Sequence, residues 1–177
     1  MRTRSYGLTT AQALAWRGTI HAVKRTRATA KWLDALDRAS LASPPADMAI
    51  VLTGQRRKDL LDIGAADLAI EGKKRFVVVF LHDWPTGSFD DVYRLLSKRM
   101  KRLFPASAKR DTFTAFLAKV ALHEAGHARQ LLRNPDAGDE RAEAAAEVHA
   151  WRELERLLPA ETVFRTLAVF ITAAMET

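Results

Sequence analysis

Cysteine is absent from this chain of 177 residues. Without a thiol there is no disulfide framework, thiolate zinc finger, iron–sulfur cluster, cysteine nucleophile or redox switch, and nothing argues for an oxidising compartment. Any metal must be held by His, Asp or Glu. Long apolar runs are also missing. Val163 to Met175 falls short of the ~20 residues that span a bilayer and is interrupted by Arg165, so it reads as a core helix. Met1 to Gly18 carries Arg2, Arg4 and Arg17 but no continuous apolar stretch of signal-peptide length, which makes a cytoplasmic location the default expectation. No internal repeat occurs, and the only biased segment is the Ala-rich Ala142 to Ala146.

What is present is a chain with 48% hydrophobic residues, which at this length buries roughly two thirds of its unfolded surface and needs no staple. A single domain over residues 1–177 is expected. Its charge is unevenly placed. Residues 1–110 hold 21 Lys and Arg against 10 Asp and Glu, a net +11, whereas 111–177 hold 7 against 11, a net −4. Basic clusters stand at Lys24, Arg25, Arg27 and Lys31, at Arg56 to Lys58, at Lys73 to Arg75, and at Arg94, Lys98, Arg99, Lys101 and Arg102. Taken one at a time such runs are usually solvated faces, but together they admit a nucleic-acid partner for the basic part.

Hydrophobic periodicity sets out the elements. Thr10 reads as an N-cap, and Trp16, Ile20, Val23, Ala30 and Leu33 recur at helical spacing, predicting a long helix that ends near Arg38. Pro44 and Pro45 break the chain. Met48 to Leu52, Leu68 to Ile70 and above all Phe76 to Leu81 read as strands, the last buried on both faces, with Glu71 to Lys74 a hairpin turn and Gln55 to Leu61 a short connecting helix. A sheet of about three strands follows. Ser88, with Asp91 three residues on, resembles a capping box that opens a helix through about Leu103. After Pro105 a helix from Asp111 or Thr112 through Leu132, a turn over Asn134 to Gly138, a helix capped by Asp139 through Leu158, and a last helix over Ala160 to Met175 complete an α+β, mostly helical domain. The small sheet precedes the long helices.

Inside the helix that begins near Asp111 stands His123-Glu124-Ala125-Gly126-His127, an HExxH motif. Residues four apart share a helix face, so both imidazoles can reach one Zn²⁺ at ~2.0 to 2.1 Å while Glu124 sits beside the open coordination position. From there Glu124 can act as general base on a zinc-activated water. With five His and nine Glu in the chain, the pattern arises by chance roughly 0.007 times per chain of this length. Gly126 costs ~1 kcal/mol relative to Ala within a helix, so a packing reason is expected for it.

A catalytic zinc needs a third protein ligand, and the next helix offers Glu140, Glu143 and Glu147. If two antiparallel helices meet through the short loop between Arg133 and Asp139, residues equally far from that loop lie level at 1.5 Å per residue. This selects Glu147, midway between the levels of His123 and His127, with Glu143 as the reserve. His149 is turned some 200° from Glu147 and away from the metal.

These residues resemble the zincin metallopeptidases, and among them the gluzincin-like group, in which a Glu ligand comes from the helix after the HExxH helix. Glu147-Val148-His149-Ala150 is similar to the start of that group's ExxAD pattern, and Trp151 departs from it at the Asp position. His123 to Ala128 also looks like the active-site helix of membrane-anchored AAA+ zinc proteases, and more weakly the segment is similar to ImmA/IrrE-type peptidases. The likeness covers roughly residues 112–158. It implies a zinc metallopeptidase with His123, His127 and Glu147 as ligands, acting on a peptide or protein whose strand pairs with an exposed sheet edge, with Phe76 to Leu81 and His82 to Gly87 as cleft walls. Tyr93, His82 and Arg152 could serve an oxyanion, and the spacing selects none of them. The competing expectation is a basic nucleic-acid-associated protein whose N-terminal helix and helix Ser88 to Leu103 present cations to phosphates, its zinc site vestigial or turned on a DNA-bound partner. Aromatic interleaving in that part is poor.

Overall fold

The computed structural model describes residues 10–71, 74–135 and 140–175. Six helices and four strands follow in the order α1 Thr10–Ala15, β1 Ile20–Ala22, α2 Arg27–Arg38, β2 Met48–Arg56, β3 Gly64–Glu71, β4 Lys74–Asp83, α3 Ser88–Arg99, α4 Lys109–Arg133, α5 Glu140–Leu157 and α6 Ala160–Met175, with a 3₁₀ turn at Ala106–Ala108 ahead of α4. The class is α+β, and the sheet precedes the long helices, as the periodicity indicates. None of the helices, among the described residues, is long and apolar enough to cross a membrane.

The strands lie in the order β1-β2-β4-β3, with β1, β2 and β4 parallel and β3 antiparallel to β4. Lying between β2 and β3, β4 explains the unbroken apolar run from Phe76 to Leu81. Val77, Val79 and Leu81 enter the main core with Ile50 and Leu52, while Phe76, Val78 and Phe80 meet Val51, Ala69 and α1's Ala13 on the opposite face. Both faces of the strand are therefore covered, as in a buried parallel sheet.

The long N-terminal helix is not one element. Gly18, at φ 68, turns the chain after α1, and the β-branched Ile20 opens β1, whose partner is β2 through Ile20↔Ile50. α2 then starts afresh at Thr26, whose side chain and that of Thr29 form a reciprocal capping box. Pairing of β1 with β2 outweighs a helical spacing that local pattern alone favours. Two further expectations are corrected. Gln55 to Leu61 is not a helix, because β2 itself runs on to Arg56 and Arg57 N–H donates to Asp83 O. Ser88 does not cap α3: the cap is Gly87 at φ 82, and Ser88 Oγ donates back to Pro85 O at 2.9 Å. The expected cap at Asp139 and much of the turns at 71–74 and 134–138 lie outside the described residues.

α4 is the axis of the molecule. Its 25 residues span ~38 Å at 1.5 Å per residue, and it is buried by α2, α5, α6 and the sheet. Near its start Asp111 accepts from Arg38 of α2 and from Thr162 Oγ1 of α6 at 2.9 Å, with Arg165 3.8 Å away. The arginine that interrupts the last apolar run is thus buried and paired, with Glu161 at 2.6 Å as its second anion. Farther along, Gly126 shows its packing reason. A Cβ there would stand 3.1 Å from Ala146 Cα, so the missing side chain is what lets α4 and α5 touch.

Candidate metal centre

The α4–α5 contact brings the motif together with acids from α5. The helices are antiparallel: Gln130 meets the Ala142 carbonyl, His127 meets Glu143, and Lys119 meets Glu147. His123 and His127, four residues apart on α4, turn their Nε2 atoms toward each other at 3.1 Å. Glu143 closes the triangle, Oε1 lying 3.1 Å from His123 Nε2 and Oε2 2.9 Å from His127 Nε2. Tetrahedral ligands at 2.0 to 2.1 Å from a zinc ion are separated by ~3.3 Å, so the three groups are already near the spacing such an ion imposes. His123, His127 and Glu143 are the group that could hold a metal among the described residues.

Glu147 stands one turn deeper. Its Oε2 lies 2.5 Å from Lys119 Nζ and 2.9 Å from His123 Nδ1, and its Oε1 accepts from Trp151 Nε1 at 2.7 Å. The carboxylate sits off the N–H axis of His123, whose buried Nδ1 has no well-aligned acceptor. His123, then the Lys119 and Trp151 donors, hold the Glu147 carboxyl down to about 2 against its partial burial. Lys119 is buried under the rings of Phe170 and Trp151, 4.1 and 5.4 Å from their centroids, and burial lowers its pKa while Glu147 opposes the shift. Gly126 meets Ala146, each seven residues from the loop ends Arg133 and Asp139, so the two helices keep the register in which Glu147 lies level between the histidines. The imidazoles decide the contacts: both turn Nε2 to Glu143, which leaves Glu147 at Nδ1 of His123.

Glu124 points the other way, toward the sheet. It is buried, and Gly64 at the start of β3 makes the room: a Cβ on Gly64 would lie 2.7 Å from Glu124 Cγ and 2.7 Å from Oε1. Burial, opposed chiefly by His123, raises its carboxyl to about 7. Burial also lowers the pKa of His127, with His123 adding to the shift and Glu143 opposing it. A cleft of about 330 Å³ opens over these groups, walled by Arg57, Asp62, Gly64 and Ala66 and by Val120 of α4. Its strand wall is β3, the outer strand of the sheet. The expected wall Phe76 to Leu81 is interior, because β3 covers that side of β4.

None of the three oxyanion candidates lines the cleft. His82 is fully buried. Arginine can only donate, so Arg57 Nη2, at 3.1 Å, donates to His82 Nε2, leaving Nδ1–H to donate to Thr53 Oγ1 at 2.8 Å. Burial and then the nearby Arg57 charge lower the pKa of this imidazole to about 4. Tyr93 donates its hydroxyl to the Pro105 carbonyl at 2.7 Å, and Arg152 is exposed on α5. His149 accepts from Arg129 at 3.0 Å, away from the metal group. Sequence reading missed Arg57, Asp62 and Gly64 in the cleft and Lys119 and Trp151 behind Glu147. Two of these left a trace: an isolated glycine beside a strand pattern marks a close approach, and Trp151 is where the chain departs from the ExxAD pattern.

Comparison with family models, with curated proteins and with solved structures gives no match to this chain.

Proposed function

We propose that the protein is a zinc-dependent metallopeptidase. The observation that carries this reading is the triangle of His123 Nε2, His127 Nε2 and the Glu143 carboxylate, with edges of 2.9 to 3.1 Å, beside a buried Glu124 in an open cleft. Two imidazoles and a carboxylate suit zinc among the common divalent ions. In this reading the metal ligands are His123, His127 and Glu143, and Glu147 is a positioning residue behind His123, in the manner of carboxylates that orient ligand histidines. A bound zinc supplies Lewis acidity, acidifying a water and polarising a scissile carbonyl.

The chain's own residues do the rest. Glu124, held over Gly64 in a poorly solvated site, takes the proton from the attacking water and later passes it to the departing amine. The outer edge of β3 at Gly64 to Ala66 borders the cleft and offers backbone donors and acceptors to an extended peptide. The test is elemental analysis of the purified chain combined with cleavage of an unfolded protein substrate. About one zinc per chain is expected, with activity lost on chelation and with Glu124→Gln losing cleavage while keeping its zinc. A chain without metal, or cleavage indifferent to chelators, overturns the reading.

A further inference from the structure

Cations from three separate stretches of the chain gather on one side of the molecule, away from the metal group. A cavity of about 690 Å³ lies between α2 and the first residues of α3 and α4, with Arg27, Lys31, Lys109 and Arg110 on its walls. Asp90, Ala106 and Lys109 also belong to a second cavity, of about 420 Å³, which runs along α3 past Arg94, Lys98 and Lys101. The two form one groove with seven cations against the two carboxylates of Asp34 and Asp90. Arg94 and Lys98, four residues apart, share one face of α3, and Lys101 follows in the turn beyond its end on the same cavity wall. Lys109 pairs with Asp90 at 2.8 Å and Arg94 with Asp91 at 3.0 Å. Among the described residues, Arg27, Lys98 and Lys101 have no acidic partner, so positive charge is left over in the groove.

The wider end of the groove has an aromatic floor. Lys31 Nζ stands 5.7 Å from the centroid of the half-buried Trp84 ring and 4.9 Å from that of Phe113. These rings come from the loop after β4 and from α4, and Phe113 packs edge-on against Trp84 at 4.9 Å. A row of cations leading to ring faces is the arrangement that tracks a phosphate backbone and stacks an unpaired base. An acidic peptide would use the cations but not the rings. A duplex buries its base faces and cannot use the rings either.

We infer that this groove binds single-stranded nucleic acid, with phosphates along Arg94, Lys98, Lys101 and Arg27 and a base against Trp84 in place of the Lys31 ammonium. The site is separate from the metal centre: His123 lies thirteen residues beyond Arg110 on α4, ~20 Å along the helix.

Fluorescence anisotropy of a labelled 12-nucleotide oligothymidine with the full chain tests this. Binding is expected to weaken steeply with added salt, as phosphate contacts do. Arg27→Ala with Lys31→Ala, and Lys98→Ala with Lys101→Ala, should each weaken binding about fivefold or more. Arg17→Ala with Arg152→Ala removes equal charge from exposed sites outside the groove and should change it less than twofold. Trp84→Leu should weaken binding about fivefold, a stacking effect, while Trp84→Phe, which keeps a ring face, retains it. Glu124→Gln should bind like the parent, so failure of the metallopeptidase reading would leave this one standing. The inference is overturned if the control pair weakens binding as much as the groove pairs, if Trp84→Leu binds like the parent, or if poly-glutamate or a 12-base-pair duplex binds as tightly as the single strand.

Discussion

At its amino-terminal end α4 presents Lys109 and Arg110 to solvent beside a wide groove, whereas thirteen residues further along it carries His123, Glu124 and His127, which are themselves buried or half-buried. The first end carries charge on flexible side chains whose fields overlap and are screened by salt, so no single residue there is decisive. The second end works by mutual constraint. His123 touches His127, Glu143 and Glu147 at once, and Glu124 fits only because Gly64 has no side chain. The same helix therefore supports one surface whose parts act additively and one whose parts act as a unit, and burial makes the difference.

That contrast can be broken by experiment, beginning where the effect is largest. At the buried end, Glu124→Gln should lower peptide cleavage by about a thousandfold, within the range for removal of a general base, at unchanged zinc content. Gly64→Ala should lower cleavage by about a hundredfold with zinc retained, since the new Cβ displaces the Glu124 carboxyl. Steady-state kinetics and metal analysis of both variants check this, and parent-like activity in Gly64→Ala would break the account of Glu124. Zinc affinity separates the two glutamates. Glu143→Gln should lose most of the bound metal, whereas Glu147→Gln should weaken it by about 10- to 100-fold, as the loss of a residue that orients a ligand does. Competitive chelator titration reads both, and the reverse order would exchange their roles.

A smaller effect concerns stability alone. His82 has its pKa lowered to about 4, so between pH 6.5 and pH 4 the unfolded chain binds a proton there that the folded chain refuses. The His82 contribution should therefore fall as pH drops through that window, by on the order of 3 kcal/mol in all, while Glu124, its carboxyl raised to about 7, contributes with the opposite sign between pH 7 and pH 4.5. Urea unfolding of the parent and of His82→Gln at pH 7 and pH 5 isolates this term: the stability difference between parent and variant should shift against the parent as the pH falls, and an unchanged difference overturns it. The least effect is expected across the length of α4. Lys98→Ala with Lys101→Ala should change peptide cleavage less than twofold, because exposed cations beside the far end of α4 are screened at physiological salt.

How far the sequence carries depends on whether a feature is local. The strand at Phe76 to Leu81 and the helices after Pro105 follow from short-range pattern, and so does the shared face of His123 and His127. The helix drawn from Thr10 to Arg38 fails at Ile20, because pairing with Ile50, thirty residues away, leaves no mark in the periodicity around it. Counting residues from the loop does give the register in which Gly126 meets Ala146, but it does not say which imidazole nitrogen a glutamate meets: Glu143 lies at both Nε2 atoms and Glu147 at Nδ1 of His123. The poor aromatic interleaving noted along the basic part is a fact of sequence order only. Trp84 and Phe113 are far apart in the chain, yet they meet beneath Lys31.

The sequence by itself determined the absence of thiol chemistry, the His-Glu-His spacing, the split between a basic first part and an acidic second part, and the α+β class, since each follows from composition or from contacts within a few residues. Only the tertiary structure decided that Glu143 faces the imidazoles, that β3 is the edge strand beside them, that Gly64 houses Glu124, and that cations from two of the basic clusters join Lys109 and Arg110 in one groove with a ring-lined floor. These depend on how helices and strands pack across tens of residues, where a single close contact such as Gly126 against Ala146 sets the register for every side chain around it.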